Sequence, residues 1–141
     1  MARDASDAAT VKALRATDLF KSLSRRSLDA VASSAKVVKH PAGKELVSEG
    51  TSGIGFHLIT EGTASVLVGG KRRAQIGPGQ YFGEMSLIDG GPRSATITSE
   101  TPVTTIYLSA WSFRPILKSE PEVAYALLLV LCGRLRAAER R

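Results

Sequence analysis

Gly79-Gln80-Tyr81-Phe82-Gly83-Glu84-Met85-Ser86-Leu87-Ile88-Asp89-Gly90-Gly91-Pro92-Arg93-Ser94-Ala95-Thr96-Ile97 breaks the alternation of apolar and polar residues that surrounds it. Its residues predict an anion site. Gly83 opens a short helical turn over Glu84 to Ile88, and the N–H groups at a helix start point outward with partial positive charge. Glu84 in that first turn suits the helix dipole. Gly90-Gly91-Pro92 turns the chain back and delivers Arg93 to the same place, as a planar fork of donors shaped for phosphate oxygens. A carboxylate beside that fork can accept a hydrogen bond from a hydroxyl. Taken singly, Arg93 also reads as a surface arginine and Glu84 as a helix-start acid. Asp89 reads as a local ion-pair partner with a structural role at most.

Outward from this stretch, glycines punctuate short β-branched runs: VVKH, KELVS, GFHLIT, TASVLV, RRAQI, SATIT and VTTIYL. Several alternate, as Thr63-Ala64-Ser65-Val66-Leu67-Val68 does. Such runs at spacings of about 8–12 residues with glycine turns predict a sandwich or barrel, and we expect a jelly-roll-like β-barrel over residues 36–108. Gly69-Gly70 reads as a tight hairpin turn, where positive φ is cheap. Gly53 and Gly90 belong to the same set of breaks.

The period becomes helical on both sides. Residues 8–16 carry Val11 and Leu14 on one face, with Leu19 near it, and Ser24 is placed to cap a helix over 25–34. Ser109 is placed to cap a helix over 110–118, and Pro121 fits the first turn of a last helix over 121–139. That helix carries a stripe of Val123, Leu127, Val130, Leu131, Leu135 and Ala138. Its first half is apolar nearly all round, so it must be covered on more than one side. The expectation is one α+β, mainly β, domain over 1–141, with N-terminal helices in 8–34 and two C-terminal helices in 109–139.

Composition narrows the function. The chain has 141 residues, 43% of them hydrophobic, enough for a core. The longest apolar run, Val123 to Cys132, is ten residues, short of the ~20 that a membrane span needs. Asp4, Asp7 and Lys12 interrupt any apolar signal core at the start, so a cytoplasmic protein is expected. One cysteine, Cys132, leaves no internal disulfide. The net charge of +6 gathers locally at Lys71-Arg72-Arg73 and from Arg134 to Arg141, read as a solvated basic face. No paired acid and base, triad or metal-ligand spacing is present, which speaks against an enzyme. Ser86 lies outside any G-x-S-x-G frame. His57 and Cys132 read as core residues.

The segment FGEMSLIDGGPRSATI, residues 82–97, resembles the phosphate-binding cassette of the cyclic-nucleotide-binding domain family. About ten specified positions fall at fixed spacing: F-G-E, a small residue, Leu and Ile, then P-R, Ala, Thr and an aliphatic. The likeness extends to His40-Pro41-Ala42-Gly43 leading to Ser48-Glu49-Gly50, to Phe56–Gly62 and to Leu19-Phe20-Lys21-Ser22-Leu23, and covers about residues 14–139. The resemblance implies a ligand-binding set of Phe82, Gly83, Glu84, Met85, Ser86, Arg93, Ser94 and Ala95. In it, Arg93 takes the cyclic phosphate and Glu84 the ribose 2′-hydroxyl. Gly83, Glu84, Ser94 and Ala95 offer backbone N–H groups.

The ligand implied is cAMP, with cGMP as the alternative, since Ser94 supplies a hydroxyl that can reach a guanine. Positions near Ala137, Ala138 and Glu139, where some relatives contact the base, hold two alanines unable to do so through side chains. The resemblance further implies a regulatory sensor that relays occupancy through its C-terminal helices, with a homodimer contact through the last helix and a fused or partner effector domain. The competing expectation is a ligand-unresponsive dimerisation module of the same fold. Nucleic-acid binding by this chain is not expected, because no helix–turn–helix follows the last helix.

Overall fold

The computed structural model describes residues 2–4, 8–51, 55–89 and 91–140; Gly53 and Gly90 lie outside the described residues. Among these, the strands are β1 (Ala2–Asp4), β2 (Lys36–His40), β3 (Glu45–Val47), β4 (Gly55–Glu61), β5 (Ala64–Val68), β6 (Lys71–Ile76), β7 (Tyr81–Phe82), β8 (Thr96–Ser99) and β9 (Val103–Ser109). The helices are α1 (Ala8–Arg15), α2 (Arg25–Ser33), α3 (Glu84–Asp89), α4 (Ala110–Ser119) and α5 (Pro121–Glu139).

Strand β4 shows why the layers form. It is buried along most of its length, and successive side chains leave a strand on opposite faces. Phe56 and Leu58 enter one core with Leu14, Phe20, Leu28 and Phe113 from the helical side. Ile59 enters a second core with Ala64 and Ile97. Its neighbour β9 divides the same way, Ile106 and Leu108 against Val103. The molecule is therefore a helical layer, a five-stranded antiparallel sheet ordered β1-β2-β9-β4-β7, and a four-stranded antiparallel sheet ordered β3-β8-β5-β6.

The expected closure into a jelly-roll-like barrel does not occur. No ladder joins the two sheets among the described residues, and each keeps two edges. Tight turns pass the chain from one sheet to the other instead of continuing a ladder. At Gly62 (φ +87°) an added Cβ would stand 2.1 Å from the Pro102 carbonyl oxygen, so only glycine fits that passage. The edge strand β6 exposes Lys71, Arg72 and Arg73, charges that discourage further pairing.

Local signals act as expected. Gly69 and Gly70 both take positive φ between β5 and β6, where Val68 faces Lys71. The Ser24 and Ser109 side chains accept from the N–H groups of Ser27 and Ser112, and Pro121 stands in the first turn of α5. The last helix departs from its sequence pattern. Val123, Ala126 and Leu127 are buried, but Leu128, Leu129 and Leu135 are exposed in the single chain. Cys132, expected in the core, is exposed too, because it lies on the outward side of α5. No described helix is long and apolar enough to cross a membrane.

Candidate functional site

Strand β7 pairs with β4 for only two residues, His57 with Phe82 and Leu58 with Tyr81. Gly83 (φ +87°) then swings the chain into α3, whose first full-turn bond runs from the Leu87 N–H to the Gly83 carbonyl at 3.2 Å. Leu87 is buried in the helix-side core and pins α3 down. The segment 91–95 returns beside it. Ser86 Oγ donates to the Gly91 carbonyl at 3.2 Å, and the Gly91 N–H donates to Asp89 Oδ1 at 2.7 Å. Asp89 thus closes the turn, and no ion pair with Arg93 forms.

Between these segments lies a cleft of about 220 Å³, lined by Phe82 to Ser86, Asp89, Gly91 to Ala95, Val47 and Ile97. All eight residues singled out in the sequence border it: Phe82, Gly83, Glu84, Met85, Ser86, Arg93, Ser94 and Ala95. Their settings differ. Arg93 and Ser86 are buried, Met85 and Ser94 exposed, the other four half-buried. The Ser86 hydroxyl is spent on the loop itself. Val47 and Ile97 were not singled out, because their strands read only as alternating apolar runs.

Arg93 is fixed at both ends. Its N–H donates to the Thr51 carbonyl at 2.8 Å, and its carbonyl accepts from the Gly50 N–H at 2.9 Å. At the tip, Nη2 donates to the Gly55 carbonyl at 2.7 Å, while Nη1 is buried with no hydrogen-bond partner. Burial pulls the guanidinium pKa below its usual value, and Tyr107 and Glu84 act in the opposite sense. A Cβ on Gly83 would stand 2.3 Å from Nη1 and 2.3 Å from the Gly55 oxygen. The glycine is what lets the guanidinium lie against the turn.

On the far side of Arg93 a second cavity, about 430 Å³, is lined among others by Val38, Ser48, His57 and Tyr107. His57 stacks on Phe82 at 4.9 Å. The Thr105 hydroxyl lies 3.2 Å from His57 Nδ1 and 3.1 Å from His40 Nε2. Burial first, then the charges of His40, Arg93 and Lys44, push the His57 pKa down to about 3. Near neutrality His57 is uncharged, leaving Arg93 as the cation at this end of the cleft.

Glu84 is also engaged from a distance. Its Oε1 accepts from Arg134 Nη1 at 3.1 Å, and Arg134 Nη2 donates to the Tyr81 hydroxyl at 2.5 Å. The Tyr81 hydroxyl donates in turn to Asp18 Oδ1 at 2.5 Å. Arg134 belongs to the C-terminal basic cluster read as a solvated face, and nothing at a separation of fifty residues from Glu84 could signal the contact. Ala137, Ala138 and Glu139 are exposed. The described residues hold no group of three or more His, Cys, Asp and Glu arranged to take a metal ion.

The model of the "cyclic nucleotide-binding domain" matches residues 37–120, more than half of the chain. This chain belongs to the cyclic-nucleotide-binding domain family.

It is 30% identical over 131 residues to the cyclic AMP receptor protein of Thermus thermophilus, covering 89% of this chain and 61% of that one. It is 34% identical over 109 residues to a cyclic nucleotide-gated potassium channel of Mesorhizobium japonicum, covering 77% of this chain and 30% of the channel. Among solved structures, the N-terminal domain of a transcriptional regulator from Streptomyces coelicolor A3(2) superposes with a TM-score of 0.82 at 33% identity, covering 91% of this chain and 93% of that one. The chain spans from about a third to three fifths of the length of these curated relatives.

Proposed function

We propose that this chain is a single cyclic-nucleotide-binding domain that takes cAMP and acts as a regulatory sensor. The observation that carries the reading is Arg93 Nη1, buried against Gly83 at the cleft with no partner. An unpaired buried donor on a charged group is costly to leave unmet. One cyclic phosphate brings one charge and exocyclic oxygens that accept from such a fork. Residues 82–97 act in this reading as a phosphate-binding cassette. Glu84 Oε2 takes the ribose 2′-hydroxyl, and Phe82, Met85 and Ala95 supply the walls. The names of relatives favour cAMP over cGMP: one is a cyclic AMP receptor protein, and a regulatory domain of Toxoplasma gondii PKA, 31% identical with a TM-score of 0.68, is in complex with cAMP. Occupancy would pass to α4 and α5, which follow β9 directly.

Calorimetric titration with cAMP and cGMP, beside Arg93→Ala, tests this. We expect affinity on the order of micromolar or tighter for cAMP, lost in the variant. Absence of heat from protein whose denatured extract releases no nucleotide would refute it.

A second reading, an interaction module that pairs through α5, is favoured by one observation, the exposure of Leu128, Leu129 and Leu135 on that helix. Sedimentation at several concentrations, with and without cAMP, decides it: a strict monomer in both removes it.

A further inference from the structure

We infer that the space between the two sheets, behind Arg93, is a second ligand chamber that takes a small organic carboxylate, and that this anion shares the charge of Arg93 with a nucleotide in the cleft. The chamber stands on its own walls; only the sharing rests on the cyclic-nucleotide reading.

Three neighbouring strands build one wall. In β2, β4 and β9 the residues Val37, Phe56, Leu58, Ile106 and Leu108 enter the helix-side core, so by alternation Val38, His57 and Tyr107 face the other sheet. Leu46 and Val47 meet them from β3. At one end the gap between the sheets is filled by Ile59, Ala64, Ile97 and Val103. At the other end about 430 Å³ is left open. An engineered apolar cavity of about 150 Å³ holds a benzene molecule, so this space has room for a short hydrocarbon chain with a polar head.

The lining selects the class of occupant. Val38, Leu46 and Val47 are apolar, whereas Arg93 and His57, each only 8% exposed, are not. No described residue of the lining is acidic. Burial raises the Tyr107 pKa, so its hydroxyl keeps its proton, and no described group accepts that proton. His57 reports the sign of the local field: after burial, the groups that hold its pKa down are His40, Arg93 and Lys44, all of them bases. A cation and a hydroxyl donor in a half-apolar space without an acid favour an anion with a hydrocarbon body. One cation in the wall matches one negative charge. A nucleotide is disfavoured here, because its hydroxyls would find no carboxylate to accept from them.

Arg93 lines both this chamber and the cleft. An anion on either side neutralises the guanidinium and meets the other anion as a like charge. Each ligand therefore weakens the other by the same factor, about threefold for two single charges separated by a side chain at a partly wet site.

Hexanoate is the probe, and hexanamide is its uncharged counterpart. An NMR titration without nucleotide, following the ring signals of His57 and Tyr107, should show saturable shifts with hexanoate at a Kd of about 1 mM or tighter, and binding of hexanamide at least about tenfold weaker. Val38 lines the chamber and not the cleft. Val38→Phe should abolish hexanoate binding and leave the affinity for cAMP within about twofold of the parent. Should that variant fail to fold, Tyr107→Phe, which keeps the ring and removes the hydroxyl, should weaken hexanoate by about threefold or more. In the parent, saturating hexanoate should raise the Kd for cAMP about threefold, and in Val38→Phe it should not. Absence of a saturable shift would overturn the proposal, leaving a chamber that holds water alone. Equal binding of hexanamide would overturn it as well, and so would full hexanoate binding by Val38→Phe and Tyr107→Phe. Unchanged cAMP affinity at saturating hexanoate would overturn the sharing of Arg93. A parent that binds hexanoate but not cAMP would keep the chamber and refute the cyclic-nucleotide reading.

Discussion

Replacing Gly83 by alanine tests the geometry of the site with the smallest possible perturbation, one methyl group. Two effects add. Gly83 has φ +87°, and a side chain in the left-handed region costs about 1–2 kcal/mol. The new Cβ would also stand 2.3 Å from both Arg93 Nη1 and the Gly55 carbonyl oxygen. Neither neighbour yields easily: the oxygen is backbone at the start of β4, and the guanidinium is the donor that this oxygen accepts from at 2.7 Å. Relief requires parting that bond, and a hydrogen bond to a charged group contributes about 1.5–3 kcal/mol. The sum is about 2.5–5 kcal/mol, a fall in melting temperature of roughly 8–17 °C for a domain of this length. Gly79→Ala is the control. Its φ is +89° but nothing lies within 4 Å of the added Cβ, so only the strain of about 1–2 kcal/mol applies. Urea melts of both variants measure the difference, and calorimetry with cAMP should show Gly83→Ala at least about tenfold weaker, with Gly79→Ala close to the parent. If Gly83→Ala proves no less stable than Gly79→Ala, the packing of Arg93 against the turn is not as described.

Two further outcomes follow from other parts of the molecule. His57 stays neutral in the folded protein down to pH about 3, whereas in the unfolded chain it takes up a proton near pH 6.5. Unfolding therefore binds a proton between those values, and stability should fall as pH drops from 6.5 toward 3, with a limiting slope of about 1.4 kcal/mol per pH unit from this residue. His40 is shifted in the same direction, by burial and by Lys44, and steepens the fall; urea melts from pH 7 to pH 4 that show no slope would contradict the burial of the pair. Ser109→Ala removes the side-chain acceptor for the Ser112 N–H at the start of α4 and should lower stability by about 1 kcal/mol, while leaving the affinity for cAMP within about twofold of the parent.

The parts of this molecule that were legible in its sequence are those whose causes lie within a few residues. Ser24 and Ser109 cap helices because a short hydroxyl before a helical run has one good use, and Gly69-Gly70 turns the chain because both residues need positive φ. The segment 82–97 was legible for the same reason: a glycine turn, a helical start and a returning arginine are all local, and the structure draws them around one cleft. The strands β1 and β7 were not, since three and two residues are too few to show a period.

Sheet pairing is where sequence reasoning failed. Alternation tells which face of a strand is buried but not which strand lies beside it. The same runs that predicted a closed barrel are satisfied by two separate sheets that share a core through Ile59, Ala64, Ile97 and Val103. Likewise the apolar run in α5 fixed a helix but not its cover, and Leu128, Leu129 and Cys132 stand outside the core.

By itself, then, the sequence determined the main helices and the longer strands, their caps and turns, and which residues gather in the segment 82–97, because bonds between near neighbours depend on residue type and spacing alone. Only the tertiary structure decided that the sheets stay open, that Arg93 leaves one donor unpaired against Gly83, and that Arg134 reaches Glu84. Those are contacts between residues distant in the chain, set by how layers pack, and no spacing along the chain encodes them.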